Sequence, residues 1–327
     1  MFSRLKAWFM DRLFHFLGGV DEPLYTPLNR LANLYLRLRN PEKIVHPGDK
    51  HPDKVFYIIR DVPAHAGLAS WYDRVLGYML RAKKKGWVPV VDPPAPMRAD
   101  NGGWYDFFKG PSDIPVAEAL QGRNVVIATE QAVIHKRYSK RNIARRHRLV
   151  KEVPFSDEAE AFVDVRIPAI FAGMPRPAVG VVFRGTDYRS TANYCPTGHA
   201  KVPSIDCFCE EVSLSLERWG LPENEGANIF VVTEEQEALD AIIKRFPKCS
   251  YVVKERFSNF DISKGNLFVQ SLETVDSKTN NLLYLTDIAA LAKCDYLIGG
   301  VVGSVLMALN LNGGRYRGVN ILKTGVS

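Results

Sequence analysis

Arg184, Thr186 and Asp187 stand where a β-branched and aromatic run, Val179, Val181, Val182 and Phe183, comes to an end. A guanidinium fork, a hydroxyl and a carboxylate at the end of a buried strand suit the binding of phosphate. The competing reading is an arginine paired with Asp187 to close a loop. A second group of this kind is Gly299, Gly300, Gly303 and Ser304, which lead into the apolar stretch Val305–Leu311. Such a turn brings backbone N–H groups to an anion at a helix N-terminus. It lacks the lysine of a P-loop and does not match GxGxxG, and a tight packing turn explains it as well. Thr233 and Glu234 close another apolar run, NIFVVTE.

The elements that would position these groups alternate between strand and helix. Pro177 and Gly185 bound a strand over 179–183. Ile205, Phe208, Val212, Leu216 and Trp219 are spaced for one buried helical stripe, and the strand ending at Thr233 follows. Leu239, Ile242, Ile243 and Phe246 predict a helix stopped by Pro247, and SYVVK a further strand. Residues 255–281 carry no period and suit a loop near a site. Thr286 and Asp287 are expected to cap a helix running to Cys294, with DYLIGG as the strand after it.

The first half repeats the alternation. Residues 40–53 are rich in Pro, Asp and Gly and predict a linker. Strands are expected at 55–59, in WVPVVD and at 124–128, with a helix through Trp71, Val75, Tyr78, Met79 and Ala82 that stops at Lys83–Gly86. Together they predict a small parallel sheet over 54–130. Asp92 is placed at a strand end, as either a ligand-facing or a turn residue. Residues 135–151 hold eight Lys/Arg and no acid, with Arg137, Arg141 and Arg145 at helical spacing. A solvated connecting helix is the leading expectation; an acidic acceptor, an anionic membrane or nucleic acid are the rivals, the last without any supporting motif. Residues 3–17 form a basic amphipathic pattern, read as peripheral contact with an anionic membrane or as a helix docked on its own protein. They are too short and too charged to span a bilayer, and no cleavage site follows them.

Composition is permissive. The 327 residues suggest about two domains. An apolar content of 46% supplies ordinary cores, and 43 Lys+Arg against 36 Asp+Glu, a net +7, favours an anionic partner without naming it. Cysteines 195, 207, 209, 249 and 294 form no CxxC pair, so a disulfide framework is disfavoured and a reducing cytosol expected. The CxC at 207–209 has no second ligand pair nearby, which leaves thiols rather than a metal site. No glycine fingerprint follows the strand at 55–59, which disfavours a nicotinamide enzyme.

RGTDY at 184–188, His199, VTEE at 232–235 and LTDIAALAKCDYLIGG at 285–300 together resemble the donor half of the fucosyltransferase group of α-1,6-fucosyltransferases and protein O-fucosyltransferases. GLASWYDRVLGYMLRAKKKGWVPVVD and GGWYDFFKGP resemble the acceptor half more weakly. The resemblance implies an α/β fold of two facing Rossmann-like domains of the GT-B type, here with a helical extension and linker at 1–50, an acceptor-side domain at 51–165 and a donor domain at 166–327. It implies a metal-independent, inverting, cytoplasmic transferase without a cofactor, peripheral at the inner membrane if residues 3–17 bind it. The donor is expected to be GDP-fucose and the acceptor a glycan of a bacterial surface polysaccharide or glycoconjugate. Arg184 matches the arginine on the donor diphosphate, Asp287 a carboxylate that reads guanine, Thr233 and Glu234 a motif beside the nucleotide, and Gly303 and Ser304 a serine-containing motif. The chain departs from the eukaryotic α-1,6 enzymes at Gly185, where they carry a second arginine, and at Tyr188 and Ala192, where they carry a lysine and a glutamate. The general base is therefore unassigned, with Asp187 and His199 as the local candidates. A catalytically inactive nucleotide- or glycan-binding protein of the same fold is the alternative.

Overall fold

The structure is a computed structural model and describes residues 41–60, 67–92, 103–129, 139–172, 176–186, 203–221, 228–254, 256 and 277–322. The basic segment 3–17 lies outside the described residues. So do Asp187 and His199.

The first sheet is built from β1 (Ile44–Val45), β2 (Lys50–Ile59), β3 (Val88–Val91) and β4 (Gly122–Ile127). Its order is β1-β4-β2-β3, with β2 parallel to both β3 and β4 and with β1 antiparallel at the edge. The expected parallel sheet is present, but the expected linker at 40–53 is not all loop: it supplies β1 and the start of β2. Residues 50–54 gave no strand signal because they are largely exposed and their pairing with β4 is irregular, whereas Phe56–Ile59 are fully buried. The crossover helix α1 (Leu68–Lys85) buries Trp71, Tyr72, Val75, Tyr78, Met79 and Ala82, and Gly86 ends it in the left-handed conformation. Two single-turn helices, α2 (Trp104–Phe107) and α3 (Val116–Ala119), lie between β3 and β4. The core here is aromatic: Trp104 packs edge-on to Trp71 with centroids 5.0 Å apart and against Phe108 at 4.6 Å.

Two helices, α4 (Lys140–Val150) and α5 (Asp157–Phe171), lead into the second sheet, each started by a serine side chain, Ser139 and Ser156. The second sheet has five strands: β5 (Ala178–Phe183), β6 (Asn228–Thr233), β7 (Cys249–Tyr251), β8 (Tyr296–Gly300) and β9 (Gly318–Leu322). All pair in parallel, in the order β7-β6-β5-β8-β9. Val179, Val181 and Phe183 face α6 (Ile205–Arg218) and α7 (Gln236–Arg245). Ala178 and Val182 face the other way, toward α8 (Ser277–Lys293) and α9 (Gly303–Asn312). With both faces covered, the inner strands β5 and β6 are buried throughout, which is why they read as unbroken apolar runs.

Two expectations are corrected. The helix assigned to Thr286 onward begins at Ser277, so Thr286 and Asp287 sit in its interior. Thr286 Oγ1 donates to the Leu282 carbonyl at 2.9 Å, one turn back, rather than capping. The basic helix α4 is not wholly solvated. Lys140, Arg141, Arg145 and Arg148 are exposed, but Arg146 is buried with its Nε 3.0 Å from Asp73 Oδ1 on α1. Asn310 Nδ2 of α9 donates to the same carboxylate at 3.3 Å, and His147 Nδ1 donates to the Asn310 carbonyl at 2.9 Å. One apolar cluster runs through α1, α4, α5, α8 and α9 and reaches both sheets. The expected domain boundary at 165/166 falls within α5.

Candidate functional site at the carboxyl edge of the second sheet

The strand order β7-β6-β5-β8-β9 fixes where a site can form. The chain steps outward from β5 to β6 and β7, then α8 carries it back across to β8 on the other side of β5. The crevice of an open parallel sheet lies at such a reversal, outside the carboxyl ends of the strands. Here that places it beside the ends of β5 and β8. Arg184 follows β5 directly and Gly303 follows β8 by three residues, so both are at the reversal.

Arg184 is about one-fifth exposed, and its Nη1 pairs with Glu234 Oε1, which stands just after β6. The sequence offered Asp187 as its partner; Glu234 is a partner the structure supplies. Thr233 closes β6, buried, and its Oγ1 accepts the Glu235 N–H at 3.2 Å. Glu235 is itself buried, and its Oε1 accepts the backbone N–H of Thr186. Its carboxylate leaves no room for a side chain at 185: a Cβ there would lie 2.6 Å from Glu235 Cδ. A side chain at 185 would therefore have to displace the Glu235 carboxylate.

Beyond β6, the stretch after β7 adds two cations that sequence reasoning did not assign. Lys254 Nζ pairs with Asp287 Oδ2, and these side chains are 6% and 1% exposed. Arg256 donates to three backbone carbonyls, from Nε to Thr233 at 3.3 Å, Nη1 to Lys254 at 3.2 Å and Nη2 to Val252 at 2.9 Å, tying the end of β6 to that of β7. Burial lowers the Arg256 pKa. Burial also raises the Asp287 carboxyl above its ordinary range, against the opposing pull of Lys254 and Arg256. Asp287 Oδ1 is buried and, among the described residues, accepts no hydrogen bond.

Gly303 and Ser304 open α9, where the residue before them, Val302, provides no side-chain cap. The glycines here also meet packing demands. A Cβ on Gly303 would come 3.3 Å from Ser70 N and 3.4 Å from Ala69 Cβ in the first turn of α1, and one on Gly299 would be 2.7 Å from Val305 Cγ2. Close packing therefore accounts for Gly299 and Gly303. Of the residues singled out, the structure brings Arg184, Thr233 and Glu234 into one connected group with Glu235 and Arg256, adds Asp287 through Lys254, and sets Gly303 and Ser304 across the reversal. The only sequence signal for Glu235 was the doubled acid of VTEE; for Lys254 and Arg256 it was charge directly after an apolar run. The CxC holds an exposed thiol at Cys207 and a buried one at Cys209. Among the described residues no helix is long and apolar enough to cross a membrane.

No protein-family profile and no curated protein sequence matches the chain. Solved structures do. The fold is similar to that of a variant of Arabidopsis thaliana FUT1 in complex with GDP, with a TM-score of 0.51 at 9% identity over 84% of this chain and 71% of that one. The fucosyltransferase NodZ from Bradyrhizobium aligns with a TM-score of 0.44 at 13% identity over 78% of this chain and 92% of that one. POFUT1 in complex with GDP-fucose aligns with a TM-score of 0.38 at 12% identity over 85% and 76%. At such identities the FUT1 likeness defines a class of fold: an α/β protein of two largely parallel sheets with helices packed on them.

Proposed function

We propose that the chain is a glycosyltransferase that takes its sugar from a GDP-sugar, GDP-fucose being the specific donor. The observation that carries this reading is Arg184 at the strand reversal of a sheet whose fold is shared with a GDP complex, beside carboxylate-held cations.

In this reading the donor diphosphate replaces Glu234 on the Arg184 guanidinium. Two parallel N–H groups then face the oxygens where charge grows as the sugar–phosphate bond breaks. The acceptor hydroxyl oxygen attacks the anomeric carbon from the opposite side, its proton passes to Asp187 or His199 as general base, and the bonding pair leaves with GDP. The anomeric configuration inverts. Arg184 supplies the positive charge that a metal ion supplies elsewhere. Asp287 reads the guanine N1–H and amino group, and its buried, unengaged Oδ1 suits an acceptor awaiting a donor. Thr233 and Glu234 flank the nucleotide, and the first turn of α9 with Gly303 and Ser304 faces the phosphates. Residues 166–327 form the donor side, 51–165 the acceptor side and 1–50 an extension. The acceptor is a glycan of a bacterial surface polysaccharide or glycoconjugate, made in the cytoplasm with contact to the inner membrane through residues 3–17.

Thermal stabilisation by GDP, UDP, CMP and NAD, each with and without EDTA, tests the donor. A ligand of the native state raises its melting temperature, so GDP alone should shift it, unaffected by EDTA. A shift with UDP instead would overturn the role of Asp287. GDP binding without transfer or donor hydrolysis across several acceptors would favour the inactive binding protein.

A further inference from the structure

Glu234 and Glu235 are adjacent carboxylates with different tasks. Glu234 pairs with the Arg184 guanidinium, while Glu235 reaches past it to the backbone of the same loop. Glu235 immediately precedes α7, where an acidic side chain would ordinarily fold back on the free N–H groups of the first turn. It does not cap that helix. Its carboxylate is instead buried against β5, accepts the Thr186 N–H, and fills the volume a side chain at 185 would need. The Thr233 hydroxyl accepts the Glu235 N–H at 3.2 Å and so holds the residue at the end of β6. Arg184 consequently leaves β5 through a backbone fixed on its far side by a side chain from the neighbouring strand.

We infer that Glu235 is the positioning residue of the diphosphate site: it sets the path of residues 184–186 and thereby the direction of the Arg184 guanidinium, without touching the ligand. This rests on the donor reading above and deepens it. Because Glu235 acts only through Arg184, its removal should cost the diphosphate interaction and spare recognition of the base.

Isothermal titration of GDP and guanosine into the full chain, its Glu235→Ala, Glu235→Gln and Arg184→Ala variants and the Glu235→Ala/Arg184→Ala double variant decides it. Glu235→Ala should weaken GDP by about tenfold or more and leave guanosine unchanged, and it should add nothing in the Arg184→Ala background. Glu235→Gln, whose amide oxygen still accepts the Thr186 N–H, should stay within about threefold of wild type. Gly185→Ala, which drives a methyl into the carboxylate, should reproduce the Glu235→Ala pattern. If Glu235→Ala does not fold, Glu235→Asp takes its place, since the shorter side chain keeps the charge and withdraws the carboxylate from Thr186. Wild-type GDP affinity in Glu235→Ala (or Glu235→Asp) and Gly185→Ala, or a full additional loss in the double variant, overturns the inference and leaves the donor reading standing. Failure of the wild-type chain to bind GDP overturns both.

Discussion

The two sheets carry the same local device at the same topological place and use it differently. In the first, Arg60 follows β2 and pairs with Asp92 after the adjacent β3, Nε to Oδ2 at 2.5 Å. In the second, Arg184 follows β5 and pairs with Glu234 after the adjacent β6. Arg60 is 44% exposed and Arg184 22%. Around the second pair lie Glu235 on the Thr186 backbone, Arg256 on three carbonyls, and the Lys254–Asp287 pair. A strand-end arginine alone therefore marks no site. Among the described residues, what distinguishes the second edge is a layer of buried polar groups that holds the arginine and its neighbours in place, the preorganisation an anion site would need.

The largest expected effect tests that contrast directly. Arg184→Ala should lower turnover of GDP-fucose by at least ~10²-fold, as measured by steady-state transfer or donor hydrolysis, because a preplaced cation acts on charge that develops only as the bond breaks. Retention of wild-type turnover would remove the phosphate role from Arg184.

Lys254→Ala comes next. It leaves Asp287 buried without its cation and should cost about 3–5 kcal/mol in urea denaturation at neutral pH. The pH dependence has a definite sign. Burial already raises the Asp287 pKa, and loss of Lys254 removes a pull in the opposite direction. Between the ordinary aspartate value and the raised one, the folded state holds a proton that the unfolded chain has released. The variant's stability must then fall as pH rises through that window and recover on acidification. A deficit that is the same at both ends of the window would mean that Asp287 stays ionised without Lys254.

The smallest effect belongs to the first sheet. Arg60→Ala breaks a pair whose arginine is half in solvent and should cost roughly 1–2 kcal/mol, with no change in GDP affinity. A loss of GDP binding here would erase the distinction between the two edges.

Legibility in the sequence follows the range of the interactions. The second sheet could be read because β5 and β6 are buried over their full length and so appear as continuous apolar runs, with Arg184 visible as the first charge beyond one of them. The exposed start of β2 left no such trace. Thr286 and Asp287 were misplaced because Thr-Asp before an apolar run has the composition of a helix cap. The turns that extend the helix back to Ser277 are polar at their start. Glu235, Lys254 and Arg146 were invisible in their roles, since each depends on a partner 33 to 73 positions away: Thr186, Asp287 and Asp73. Nothing in the sequence marks Arg146 as the one that turns inward among the described cations of this stretch.

The shared apolar cluster has a consequence for how the molecule comes apart. Since α5 contains the 165/166 junction and packs into the same core as α1, α8 and α9, each sheet has one face whose apolar core is shared with the other. Scanning calorimetry should show one endotherm whose van't Hoff enthalpy matches the calorimetric value, rather than two separable transitions. Fragments 1–165 and 166–327 expressed alone should aggregate, and recombination should require them to be produced together.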